Sequence, residues 1–63
     1  MTLDILAVRE NVFDVYENAG TEVRRIGSVF RLADGGWYWN DKFQLTHGPY
    51  LSMKSAAEAL AKY

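Results

Sequence analysis

Apolar and polar side chains alternate with a period near two over residues 12–45, and after Ser52 the spacing becomes helical. Val12-Phe-Asp-Val-Tyr-Glu17 predicts a strand, with Asn18-Ala-Gly-Thr21 as its turn. Residues 22–32 predict a longer second strand. Asp34-Gly35-Gly36 is the strongest turn signal, because glycine permits the positive φ that tight hairpins require. Trp37-Tyr-Trp39 predicts a third strand, and Phe43-Gln-Leu-Thr46 a short fourth after a turn at 40–42. His47-Gly48-Pro49 is expected to end the sheet, since proline cannot donate to a ladder.

Register follows from the faces it creates. With Ala19-Gly20 centring the first turn, Phe13 faces Ile26, Asp14 faces Arg25, Val15 faces Arg24 and Tyr16 faces Val23. With Asp34-Gly35 centring the second, Phe30 faces Trp39, Arg31 faces Tyr38 and Leu32 faces Trp37. Phe13, Val15, Ile26, Phe30, Leu32, Trp37 and Trp39 then share one face, which a slip of one residue would scatter. A three-residue second turn is the rival and would put the tryptophans beside Arg31; the hydrophobic match favours the shorter turn. Continuing the pattern adds Phe43 and Leu45 to the core.

Ser52 is placed to cap a helix over residues 53–62, with Leu51 positioned to staple against Ala56. Ala56, Ala57, Leu60 and Ala61 form its apolar stripe, and Lys54, Glu58 and Lys62 point outward. Residues 1–10 fit either a strand through Leu3, Ile5 and Ala7 or a helix begun at Thr2. The expected fold is therefore α+β: a three- to four-stranded antiparallel meander packed on one C-terminal helix at about 52–62, forming a single domain over 1–63.

One helix covers one face of such a sheet. The opposite face is expected to carry Tyr16, Val23, Arg25, Val29, Arg31 and Tyr38, with Val12 beside them, as an aromatic and arginine platform. Tyr and Arg are favoured anchors at protein interfaces, and the same groups stack on bases or pair with phosphate. The plain alternative is a solvated face whose valines satisfy strand propensity.

Composition narrows the function. A chain of 63 residues has no cysteine to supply a disulfide, a zinc site or a thiol nucleophile, while 49% hydrophobic residues and nine aromatics argue against disorder. A core this small supplies only about 3–5 kcal/mol, which makes dimerisation a natural route to further stability. No apolar run is long enough to span a bilayer and no basic leader precedes an apolar stretch, so a cytoplasmic location is expected. Net charge is −1, but residues 1–23 carry −4 and residues 24–63 carry +3. His47 is the only histidine, reads as a loop residue, and no Ser, Asp or Glu has the spacing of a triad partner. No carboxylate or histidine cluster suggests a metal, no cofactor or small-molecule substrate is indicated, and the chain is expected not to be an enzyme.

Gly27-Ser-Val-Phe-Arg-Leu-Ala-Asp-Gly-Gly-Trp-Tyr-Trp39, followed by Ser52-Met-Lys-Ser-Ala-Ala-Glu-Ala-Leu60, resembles the arm-type N-terminal DNA-binding domain of tyrosine integrases. The resemblance covers residues 27–62 and implies a three-stranded sheet on a C-terminal helix, with Arg25, Arg31 and Tyr38 toward DNA. Those domains are usually basic, and this chain is net acidic. It also looks like small phage and prophage proteins that act by binding a host protein. The expected function is a phage- or mobile-element-encoded module binding a protein partner or itself through its open sheet face. DNA binding through that face is the alternative, and a structural assembly role the third.

Overall fold

The structure, a computed structural model, describes residues 2–63. Five strands and one helix follow one another: β1 (Thr2–Arg9), β2 (Val12–Ala19), β3 (Glu22–Arg31), β4 (Trp37–Asn40), β5 (Thr46–Tyr50) and α1 (Met53–Lys62). The strands form one antiparallel meander in the order β1-β2-β3-β4-β5. The α+β class matches the sequence expectation, with more strands than the three or four anticipated. The N-terminal segment is a strand, with half-buried Leu3 and Ile5 alternating with exposed Thr2, Asp4 and Leu6. The segment expected to break the sheet is β5. Pro49 is tolerated there because β5 is an edge strand, where a missing N–H need not interrupt a ladder.

Turn chemistry sets the registers. Ala19 pairs with Glu22 across Gly20-Thr21, with Gly20 at φ 66°, so this turn lies one residue beyond the expected position. The second hairpin takes the longer loop: Leu32 N–H donates to the Gly36 carbonyl at 3.1 Å, and Gly35 adopts φ 83°. The third repeats the device, with Asp41 N–H donating to the Leu45 carbonyl at 3.0 Å and Gln44 at φ 64°. A three-residue loop ending in a left-handed residue is a common hairpin connection, and it shifts every pairing by one relative to a two-residue loop.

A bulge in β3 completes the change. Tyr16 pairs with Arg25 while Val15 pairs with Gly27, leaving Ile26 as the extra residue. Beyond it the alternation of β3 is reversed. Gly27, Val29 and Arg31 share the helix-covered side with Trp37 and Trp39, while Ser28 and Phe30 take the other. Val29, expected on the open face, is fully buried in the core. Arg31 pairs with Trp37, not Tyr38, and so leaves the open face as well. Phe30 and Leu32, expected in the core, lie respectively on the open face against Tyr38 and exposed at the turn. Phe43 and Leu45 are likewise exposed, because the third loop lies at 42–44 and not at the expected 40–42, so both fall outside the strands, within and at the close of that loop.

The core sits between the sheet and α1. Val15, Val29, Trp39, Ala56 and Ala57 are buried, with Leu3, Ile5, Phe13, Ile26, Trp37, Tyr50, Met53 and Leu60 packed around them. The small Ala56 and Ala57 let the helix backbone approach Trp39. Gly27 serves the same purpose on the sheet: a Cβ there would lie 2.9 Å from Leu60 Cδ2. Ser52 caps α1 as expected, accepting from Ser55 N–H at 3.1 Å. The Leu51 staple does not form, since that side chain is fully exposed.

Candidate interaction face

Side chains directly opposite across antiparallel strands lie on the same face, so the registers define the uncovered side row by row. Thr2, Asn18 and Val23 form one row, and Asp4, Tyr16 and Arg25 the next. Leu6, Asp14 and Ser28 follow, then Val12, Phe30 and Tyr38. The helix packs on the opposite side, so among the described residues no element covers these rows.

Polar groups in the middle of this face are fixed by one another. Ser28 Oγ donates to Asp14 Oδ1 at 2.7 Å and accepts from Arg25 Nη2 at 2.6 Å. Arg25 Nη2 also stands 3.2 Å from Asp14 Oδ1. The expected Asp14–Arg25 partnership therefore exists, but diagonally, with Ser28 occupying the position opposite Asp14. The Ser28 hydroxyl, helped by Arg25 and opposed by partial desolvation, holds the Asp14 carboxyl below its ordinary range.

The aromatic row is equally constrained. Phe30 and Tyr38 stack at 6.1 Å between centroids and 20° between planes. Tyr38 lies over β5 so closely that a Cβ at Gly48 would be 2.6 Å from its Cδ2. Its hydroxyl donates to the Asp34 carboxylate, which also accepts from Gly36 N–H at 2.8 Å. The Tyr38 hydroxyl and then the Gly36 amide lower the Asp34 pKa, and the same carboxylate raises that of Tyr38.

Of the residues expected here, Tyr16, Val23, Arg25 and Tyr38 share the face; Val29 and Arg31 do not. Arg31 instead curls toward its own turn, its Nη2 3.7 Å from where a Gly35 Cβ would be. Asp4, Leu6, Ser28, Phe30 and Asp34 were missed. Gly27 was the available signal, because an isolated glycine in a strand marks a bulge or a close approach.

A second cluster sits at the far end of the β4–β5 hairpin. Asp41 is only 6% exposed and accepts four hydrogen bonds: Phe43 and Leu45 N–H on Oδ1 at 2.8 and 3.0 Å, His47 Nε2 and the Tyr63 hydroxyl on Oδ2 at 2.8 and 3.0 Å. His47, first of all, and then the backbone and Tyr63 donors, lower the Asp41 pKa to about 2 against the cost of desolvation. The same carboxylate raises the Tyr63 pKa. His47 stacks on Trp39 at 4.1 Å, and Tyr63 meets that indole edge-on at 5.2 Å. His47 is thus a strand residue clamped between a buried carboxylate and the core indole, not the loop residue expected. With its carboxylate saturated by hairpin and C-terminal donors, the cluster acts to tie the third hairpin to the end of α1. Among the described residues no group of His, Asp or Glu is arranged to hold a metal ion, and no helix is long and apolar enough to cross a membrane.

The fold and its uncovered sheet define a class: an open-faced, two-layer α+β domain. Comparison with known protein families, curated proteins and solved structures finds no match to this chain.

Proposed function

We propose that this chain is a small non-enzymatic binding module that engages a protein partner through the outer face of its sheet. The observation that carries this reading is the uncovered set Leu6, Val12, Tyr16, Phe30 and Tyr38, arranged around the fixed Asp14–Ser28–Arg25 network. Aromatic side chains already held in one conformation lose little entropy on contact, which suits them as interface anchors.

Charge selects the class of partner. Asp4 and Asp14 lie on this face and Asp34 at its border, while Arg25, its one centrally placed cation, is engaged by Asp14 and Ser28. A phosphate backbone is bound by several free cations that displace counterions. The trio Arg25, Arg31 and Tyr38 required for DNA is divided between the two sides of the sheet. A protein surface offering basic and apolar groups is the better complement.

Immobilised wild-type protein and a Tyr16→Ala/Phe30→Ala variant, both checked by circular dichroism, should be compared for retention of proteins from the source organism. A species held by the wild type and lost by the variant is expected. Equal retention by both would overturn the reading. So would a salt-sensitive shift of duplex DNA that Arg25→Ala abolishes.

A further inference from the structure

The sheet has two edges, and they are not equally guarded. On β5, Gly48 and Pro49 fall between the His47 and Tyr50 pairings to β4, an irregular stretch that lacks one N–H donor. β1 has no proline and pairs regularly with β2 from Thr2 to Ala7. Leu6 and Val8 on it are 57% and 52% exposed. A long apolar edge of this kind is a template for another strand. Beside it, a groove of about 640 Å³ runs between Leu3 and Ile5 of β1 and Ala57 and Ala61 of α1, so the apolar floor continues to the edge.

The charge pattern of β1 identifies the strand that fits. Asp4 and Arg9 bracket the apolar Ile5-Leu-Ala-Val8, and among the described residues neither has an ion-pair partner. Asp4 and Leu6 point to the outer face, opposite Tyr16 and Asp14. The bulge between Ala7 and Arg9 returns Arg9 to that face, opposite Val12. Two copies of β1 laid antiparallel about an axis at Leu6 bring Leu6 against Leu6 and Ile5 against Ala7. Each Asp4 then meets the Val8–Arg9 bulge of the other copy, and carboxylate faces guanidinium twice. An axis at Asp4 would oppose two carboxylates instead.

We propose that the partner of this edge is a second copy of the chain, joined by antiparallel β1–β1 pairing centred on Leu6, with Asp4 and Arg9 as reciprocal ion pairs. The contact is self-complementary, as a closed two-fold interface must be. It continues the sheet without covering the outer face, and so presents that face twice on one continuous surface.

Sedimentation equilibrium of wild type, Asp4→Arg, Arg9→Asp and the double swap tests this, with circular dichroism confirming that each folds. The wild type should dimerise reversibly. Each single swap turns two attractive pairs into repulsive ones and should weaken the dimer about 10- to 100-fold. The double swap should restore it, and an equimolar mixture of the two single variants should form the heterodimer. Leu6→Lys, which sets two ammonium groups at the axis, should leave only monomer. A wild type that stays monomeric overturns the proposal. A dimer that tolerates both single swaps, or Leu6→Lys, overturns it too, by placing the contact on another surface.

Discussion

Replacing Val29 with alanine tests the strand register, because the bulge at Ile26 and the three-residue loop ending at Gly35 together put this residue on the helix-covered side. Val29 is 0% exposed and Val23, on the same strand before the bulge, is 61% exposed. Removing two buried carbons forfeits about 1.6 kcal/mol of transfer free energy at about 0.8 kcal/mol each. A residual cavity of about 40 Å³, if the surroundings do not collapse, adds about 1 kcal/mol. Val29→Ala should therefore cost about 1.5–3 kcal/mol, a large share of the roughly 3–5 kcal/mol that so small a core provides. Val23→Ala loses only exposed surface and some strand propensity, so it should cost less than about 1 kcal/mol. Urea titrations followed by tryptophan fluorescence, at one fixed protein concentration, measure both. With a slope of about 1 kcal/mol per molar urea, the Val29→Ala midpoint should fall by about 1.5–3 M. Equal costs at the two positions, or a smaller cost at Val29, would refute the reversed alternation beyond Ile26.

Three further expectations bear on other parts of the structure. A Cβ at Gly48 would lie 2.7 Å from the Trp37 carbonyl oxygen as well as 2.6 Å from Tyr38, at φ 137°, so Gly48→Ala should displace Tyr38 and loosen β5. Its overpacking cost of about 1–3 kcal/mol should appear in urea titration, with faster amide exchange confined first to β5. Ser52→Ala removes the cap of α1 and should cost about 1 kcal/mol, a loss of about 4–8 °C in Tm. The Asp41 carboxyl titrates at about 2 in the fold against 3.8 as its ordinary value, so its stabilisation is present above about pH 4 and lost as pH falls toward 2. Asp14 and Asp34 are shifted in the same direction. Urea midpoints between pH 5 and pH 2 should therefore decline in the wild type and decline less steeply in Asp41→Asn; an unchanged slope would refute this assignment.

What the sequence made legible was whatever rests on local chemistry. Ser52 beside an alanine stripe announces a capped helix that packs closely, and both hold in the fold. The turns at Gly20 and Gly35 were likewise visible to within a residue, because glycine is needed there for backbone reasons, whereas the third lies two residues beyond the expected 40–42, with Gln44 in the left-handed position. The N-terminal strand could not be chosen over a helix locally, since its stability comes from pairing with β2, a tertiary contact. The Asp41–His47–Tyr63 cluster was hidden for a related reason. Its members come together only because the third hairpin and the end of α1 reach the same end of the molecule.

The faces of β3 were misassigned for a more specific reason. Alternation identifies a buried face only when the other face is polar. Here Phe30 and Leu32 offered an apolar set at one parity, and Val29 with Gly27 belonged to the true core at the other. Two events of one residue each, the bulge at Ile26 and the longer loop ending at Gly35, separate these solutions, and neither changes the composition of the strand. The apolar residues that favoured the wrong register are therefore part of the outer surface itself. Phe30, stacked on Tyr38 and paired in register with Val12, is costly to leave half in water unless something covers it. One feature, the apolar row of Val12, Phe30 and Tyr38 beside the polar middle of the outer face, both obscured the register and supports the proposed binding face.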